Sequence, residues 1–208
     1  MHRSIAQLPL HAGAHATRGD GMCAMEMVAW LANEPHSDEP SCACPVIGAL
    51  VRACNDAMSD ALRNRFLRPL VPMLVGTRAA AATERQRGMV VLDALVRVLL
   101  PMRLRRERQL AAAKLLAELP PVRRLDDVRT ALRAVEHFAT RQHAALWVLQ
   151  RAVEGTPPAR FVAGVVQVAR SLNDAATWAM MGALVECLVR TNGATVEVAS
   201  AFACPPSQ

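Results

Sequence analysis

Side chains able to hold a metal or attack an electrophile crowd the N-terminal part of the chain: Cys23, Glu26, His36, Asp38, Cys42 and Cys44. Thiolate and imidazole are tetrahedral ligands of Zn²⁺, so Cys23, His36, Cys42 and Cys44 form one candidate metal set. Cys42 and Cys44 lie in a Cys-x-Cys pair rather than a C-x₂-C knuckle, and no second knuckle follows. The same residues could instead supply a Cys/His nucleophile pair, with His36, His137 or His143 as the base that lowers the thiol pKa. A third reading makes Cys23, Cys42 and Cys54 small core hydrophobes, with His36 and Asp38 closing a loop. No cofactor is expected on that third reading, and zinc on the first.

A second chemistry is offered by Arg103, Arg105, Arg106 and Arg108, continued by Lys114, Arg123 and Arg124. A run of this kind can neutralise phosphates, which makes nucleic acid a candidate partner. No helix-turn-helix pattern, aromatic interleaving or zinc-finger spacing accompanies it. A solvated helix face accounts for the same residues. No P-loop, G-x-G-x-x-G, H-E-x-x-H or G-x-S-x-G string occurs either, so no catalytic residue is assigned.

The elements that must position these groups are helical. Of the 208 residues 52% are hydrophobic and 3% aromatic, with no Tyr, a composition suited to helix–helix packing. Asp20 is expected to cap a first helix whose buried positions are Met22, Met25, Val28 and Ala32. Residues 34–45 form a loop, and Pro45 opens a second helix with Ile47, Leu50, Val51 and Cys54 on its stripe. Asp60 should cap a third, broken by Pro69 and Pro72. Longer helices are predicted over 79–100, ending at Pro101, and over 103–119. The stripe Leu125, Val128, Leu132, Val135, Ala139, Leu146, Leu149, Val153 predicts another. The last runs from Pro158 to Asn192–Gly193, with Asn173–Asp174 as a split point. Trp30, Trp147 and Trp178 are expected in the core. Met22, Met25, Met27, Met180 and Met181 either fill it or offer an adaptable contact surface.

The predicted architecture is an irregular all-α bundle of about six to eight helices, with HEAT-like packing as a variant. It comprises a flexible N-terminal arm (1–19), a single helical domain (20–193) and a peripheral tail (194–208). No window is apolar enough for a membrane span, and Met1–Asp20 lacks the apolar core of a secretory signal, so the expected location is cytoplasmic, with the cysteines reduced. The net charge of +6 is uneven. The first sixty residues carry seven acidic against three basic side chains, and residues 61–160 nineteen basic against eight acidic. These two segments could each face a partner, or each other.

Asp20-Gly21-Met22-Cys23-Ala24-Met25-Glu26, then Glu34-Pro35-His36-Ser37-Asp38-Glu39-Pro40-Ser41-Cys42-Ala43-Cys44-Pro45-Val46-Ile47, Asn55-Asp56 and Leu74-Val75-Gly76-Thr77 resemble an uncharacterised family of bacterial and phage-borne helical proteins. The likeness covers about the first half of the chain; the second half is richer in Val, Leu and Met than the Ala-rich region of that family. It implies an all-helical fold and no particular reaction, and it directs attention to Cys23, Glu26, Asp38 and Cys42, with Asn55 and Asp56 beside them. A buried Glu26 receiving hydrogen bonds from the 36–44 loop would account for the string without catalysis. The functional expectation is a non-enzymatic helical interaction module whose partner is another protein, with the metal or thiol site and nucleic-acid binding as alternatives.

Overall fold

The computed structural model describes residues 8–138 and 143–191. Among them the chain is all-helical, without a strand. The helices are α1 (Ala24–Leu31), α2 (Pro45–Ala57), α3 (Asp60–Phe66), α4 (Val71–Leu74), α5 (Ala81–Ala94), α6 (Leu100–Arg106), α7 (Leu110–Ala117), α8 (Leu125–Phe138), α9 (His143–Val153), α10 (Ala163–Leu172) and α11 (Ala175–Arg190). Single 3₁₀ turns occupy Arg68–Leu70 and Pro158–Arg160, and a π-helical turn, Leu95–Leu99, joins α5 to α6.

The centre is built by α2 and α11. Pro45 sits in the first turn of α2, where its missing N–H costs nothing. Val46, Ile47, Leu50, Val51 and Cys54 then recur at steps of three and four and are almost wholly buried. Each such aliphatic side chain contributes on the order of 1.5–3 kcal/mol when fully removed from water. Around α2 pack α1, α5, α10 and α11, while α11, whose Trp178, Met181, Val185 and Leu188 are buried, also meets α3 and α5. Consecutive pairs α6–α7, α8–α9 and α9–α10 extend the bundle away from that centre.

Several local expectations give way to competing interactions. Asp20 accepts hydrogen bonds from the backbone and hydroxyl of Thr17 and so closes a turn of its own; the cap of α1 is Cys23. Asp60 is the first residue inside α3, following Ser59, and it pairs with Arg63. Pro101 does not end its helix. The preceding π turn, closed by the N–H of Leu100 on the carbonyl of Leu95, absorbs the change in hydrogen bonding that a ring nitrogen imposes. The chain bends instead at Arg108, whose φ of 59° is left-handed, and α7 starts afresh at Leu110. Asn173 takes the left-handed cap position and Asp174 caps α11 through the N–H of Thr177, so the split there is real. Met22, Met25, Met27 and Met181 are buried, which places these methionines in the core rather than on a contact surface.

Residues 8–20, read from the sequence as an arm, lie against the domain. Asn64 accepts from the Leu10 N–H and donates to the Leu10 carbonyl, Asp56 accepts the Gly13 N–H, and the Leu10 side chain is buried. Residues 194–208, expected as a peripheral tail, lie outside the described residues, as do Cys204 and the Asn192–Gly193 stop. No described helix is long and apolar enough to cross a membrane.

Candidate functional site

Of the N-terminal constellation, Cys23 and His36 gather around Glu26. Cys23 and Glu26 stand in the S/T-x-x-E arrangement of a capping box, with a thiol in place of the hydroxyl. The Cys23 sulfur accepts the Glu26 N–H at 3.4 Å, and the Glu26 carboxylate accepts the Cys23 N–H at 2.7 Å. That carboxylate also takes the His15 backbone N–H at 2.6 Å and His15 Nδ1 at 2.8 Å, while His36 Nε2 lies 3.6 Å from it and 3.0 Å from the His15 carbonyl. Burial by itself would raise the Glu26 pKa, but the donors from His15 and Cys23 outweigh it and hold the carboxyl below its usual range. Gly21, at φ 126°, allows the chain to fold back here; a Cβ would stand 3.1 Å from the rings of both His11 and His15.

The neighbouring motif residues extend the same clasp. Asn55 Oδ1 accepts the Ala24 N–H, one of the unpaired donors of the α1 N-terminus, while its amide donates to the His11 carbonyl and to Asp56. The buried Arg63 donates to the carbonyls of Asn55 and Met58. The loop supplies fewer bonds to Glu26 than expected. Its acceptor is Glu34, which takes the N–H groups of Ser41 and Cys42. Asp38 faces Arg52, whose guanidinium also reaches the Asp38 carbonyl and the Glu39 carboxylate.

The sequence-predicted ligands are thus employed separately. Cys23 caps α1, Cys44 precedes α2 and donates its N–H to Thr77, Cys42 answers Glu34, and His36 answers His15. Among the described residues no group of three or more His, Cys, Asp or Glu is placed to hold a metal ion. As a nucleophile Cys23 is poorly served, because burial pushes its thiol up to about 12, and the Glu26 carboxylate adds to the shift. His137 and His143 are exposed on α8 and α9, away from the buried Cys23.

The arginine segment is divided in a similar way. Arg103 meets Glu107 and Ser171, and Arg106 meets Asp174 and the Leu172 carbonyl, so both tie α6 to the α10–α11 turn. Arg105 and Arg108 are exposed beside them. Arg123 and Arg124 sit at the start of α8, where their backbone N–H groups are taken by Asp127. Two of the six arginines proposed to contact nucleic acid therefore hold helices together.

An open groove lies elsewhere, and it reverses one expectation. Trp147 is 42% exposed, not a core residue. It lines a groove of about 590 Å³ between α2, α9 and α10, whose floor is small: Ala53, Ala57, Ala144, Ala163 and Gly164. Asp56 and Arg170 also line it, one from α2 and the other from α10. Gly164 is required by this geometry, since a Cβ there would come within 2.7 Å of Val148 and 3.1 Å of the Trp147 ring. Arg151 stacks over that ring, with 6.0 Å between guanidinium carbon and centroid. Spacing alone could have located Trp147 off the stripe, because it precedes the buried Leu149 by two residues, about 200° around the helix.

No protein-family model matches the chain, and comparison with curated proteins and with solved structures yields no match.

Proposed function

We propose that this protein is a helical interaction module that receives an amphipathic helix of a partner protein in the α2–α9–α10 groove. The observation that carries the reading is the half-exposed Trp147 beside a floor of alanines and glycine. Large rigid aromatics at the edge of a depression are the side chains on which binding energy concentrates, whereas small floor residues let a second backbone approach closely. The lining positions of α10, from Ala163 through Gln167 to Arg170, span two helical turns, about 10 Å, which suits a rod-like ligand. Asp56 and Arg170 offer opposite charges to fix its direction. Successive packing of α8 on α9 and α9 on α10 is also how HEAT-like stacks build a binding face, and it supports the same reading.

The test is site-specific photo-crosslinking in lysate of the source cells, with a benzophenone side chain at the exposed, groove-lining Gln167. A discrete protein adduct is expected at 167 and not at the exposed Arg129 on α8. Trp147→Ala should reduce it strongly, consistent with a loss of about 2 kcal/mol in affinity. Adducts unaffected by Trp147→Ala, or identical from both positions, would remove the groove from consideration. An adduct made only with a second copy of the chain would replace the foreign partner by self-association.

A further inference from the structure

At the other end of α2 a second depression, of about 450 Å³, is lined by charges drawn from three distant parts of the chain: Arg52, Arg78 and Arg160, with Glu39. Three guanidinium groups and one carboxylate leave the lining with an excess of two positive charges. Arg52 is already answered, lying 2.7 Å from Glu39 and 3.8 Å from Asp38. Arg78 has only Glu84, at 3.8 Å, and is itself 58% exposed. Arg160 is exposed on the 158–160 turn and has no ion-pair partner among the described residues. Counted with Asp38 and Glu84, the carboxylates around the cleft equal the guanidiniums in number. Arg160 has none of them, however, and the Arg78 pairing is long and exposed, so these two arginines keep donors open to an anion.

The surroundings select the kind of anion. A planar guanidinium presents paired N–H donors that match phosphate oxygens, and two such groups lining one cleft can share the three terminal oxygens of a phosphate where a carboxylate offers only two. Met25, Pro40, Ala43 and Ala159 supply apolar wall, so an organic group attached to the anion has surface to cover. The first turn of α2, which has no side-chain cap, opens on the same space, and its dipole adds a favourable field. That dipole is an addition to the arginine-lined cavity and not the basis of the site.

We infer that this cleft binds a small organic phosphomonoester, with Arg78 and Arg160 holding the phosphate and Arg52, fixed by Asp38 and Glu39, forming the third side. The inference is independent of the Trp147 groove, since the two depressions share no lining residue.

The experiment is calorimetric titration of the full chain at constant ionic strength with phenyl phosphate, inorganic phosphate and benzoate. Saturable binding of one phenyl phosphate per chain is expected, tighter than inorganic phosphate, with benzoate weakest. Arg160→Ala and Arg78→Ala should each weaken it by about tenfold or more. Arg129→Ala, a change at an exposed arginine of α8, should leave it unaltered, and circular dichroism will show that all three variants are folded. No saturable binding at millimolar phenyl phosphate, or wild-type affinity in both cleft variants, would overturn the site. Benzoate binding as tightly as phenyl phosphate would overturn the assignment to phosphate. Inorganic phosphate binding as tightly as the ester would reduce the cleft to a simple anion site and overturn the organic ligand.

Discussion

Glu26 and Asp93 are buried to almost the same degree, 1% and 2% exposed, yet their surroundings drive them in opposite directions. For Asp93, burial raises the carboxyl above its usual value, and the single N–H of Val122 with the more distant Arg97, at 3.4 Å, recovers only part of the loss. For Glu26, burial also pushes upward, but two backbone N–H groups and the His15 ring converge on it and the net direction is down. What separates them is the number of fixed donors. A carboxylate with several close N–H groups aimed at it keeps its charge at little cost, whereas one with a single backbone donor and a long contact to an arginine carries an unmet desolvation penalty. Glu26 therefore fastens the 8–20 segment and α1 to each other, while Asp93 pins Val122 against α5 and pairs loosely with Arg97.

Substitution of Glu26 should have the largest effect. Glu26→Gln places an amide donor against groups that already donate, and it is expected to cost about 3 kcal/mol in urea unfolding at pH 7. The pH dependence should follow. Because the folded pKa is depressed, the carboxylate contributes stability above the ordinary carboxylate range and loses it as pH falls through the lower folded value. The acid limb of the stability profile should accordingly flatten in the variant; an unchanged limb would show that Glu26 is not the clasp. His15→Ala removes one charge-assisted donor and leaves the two backbone donors, so about 1.5 kcal/mol is expected, read as a lower urea midpoint at unchanged slope. A loss equal to that of Glu26→Gln would mean that the ring, not the backbone, carries the arrangement.

Asp93→Asn should change stability at pH 7 by less than about 1 kcal/mol, since the amide oxygen can still accept from Val122 while the burial cost of a charge disappears. Its pH signature should be opposite to that of Glu26. A raised folded pKa means stability that is complete below the unfolded value and declines as pH rises through the folded one, and the variant should lack that decline. A large destabilisation on this substitution would erase the contrast between the two carboxylates.

The helical phases were legible because their signal is repetitive: Ile47, Leu50, Val51 and Cys54, or Val165, Val168 and Leu172, each report the same buried face. Single-residue assignments were harder. Cys23 reads as chemistry when its type alone is considered, and as a cap once Glu26 is counted three residues on. The participation of His15 has no local signature, since it depends on Gly21 turning the chain back toward Glu26. The buried Arg63 and Arg87 were equally silent. Their partners are mainly backbone carbonyls, Thr77 and Leu188 in the case of Arg87, and carbonyls leave no trace in residue identity. Both clefts are of this kind too: Arg52, Arg78 and Arg160 are unrelated in sequence and meet only through tertiary packing.

The π turn at Leu95–Leu99 has a consequence for how the chain can vary. It holds one residue more than an α-helical path would need, which is a phase slip of roughly 100° between the face read on α5 and the face read on α6. Arg106 owes its position opposite Asp174 to that slip. The helical phase of α6, from Leu100 to Arg106, is thus set by a one-residue insertion, and a homologue aligned without a gap there would assign the wrong side chains of α6 to the core.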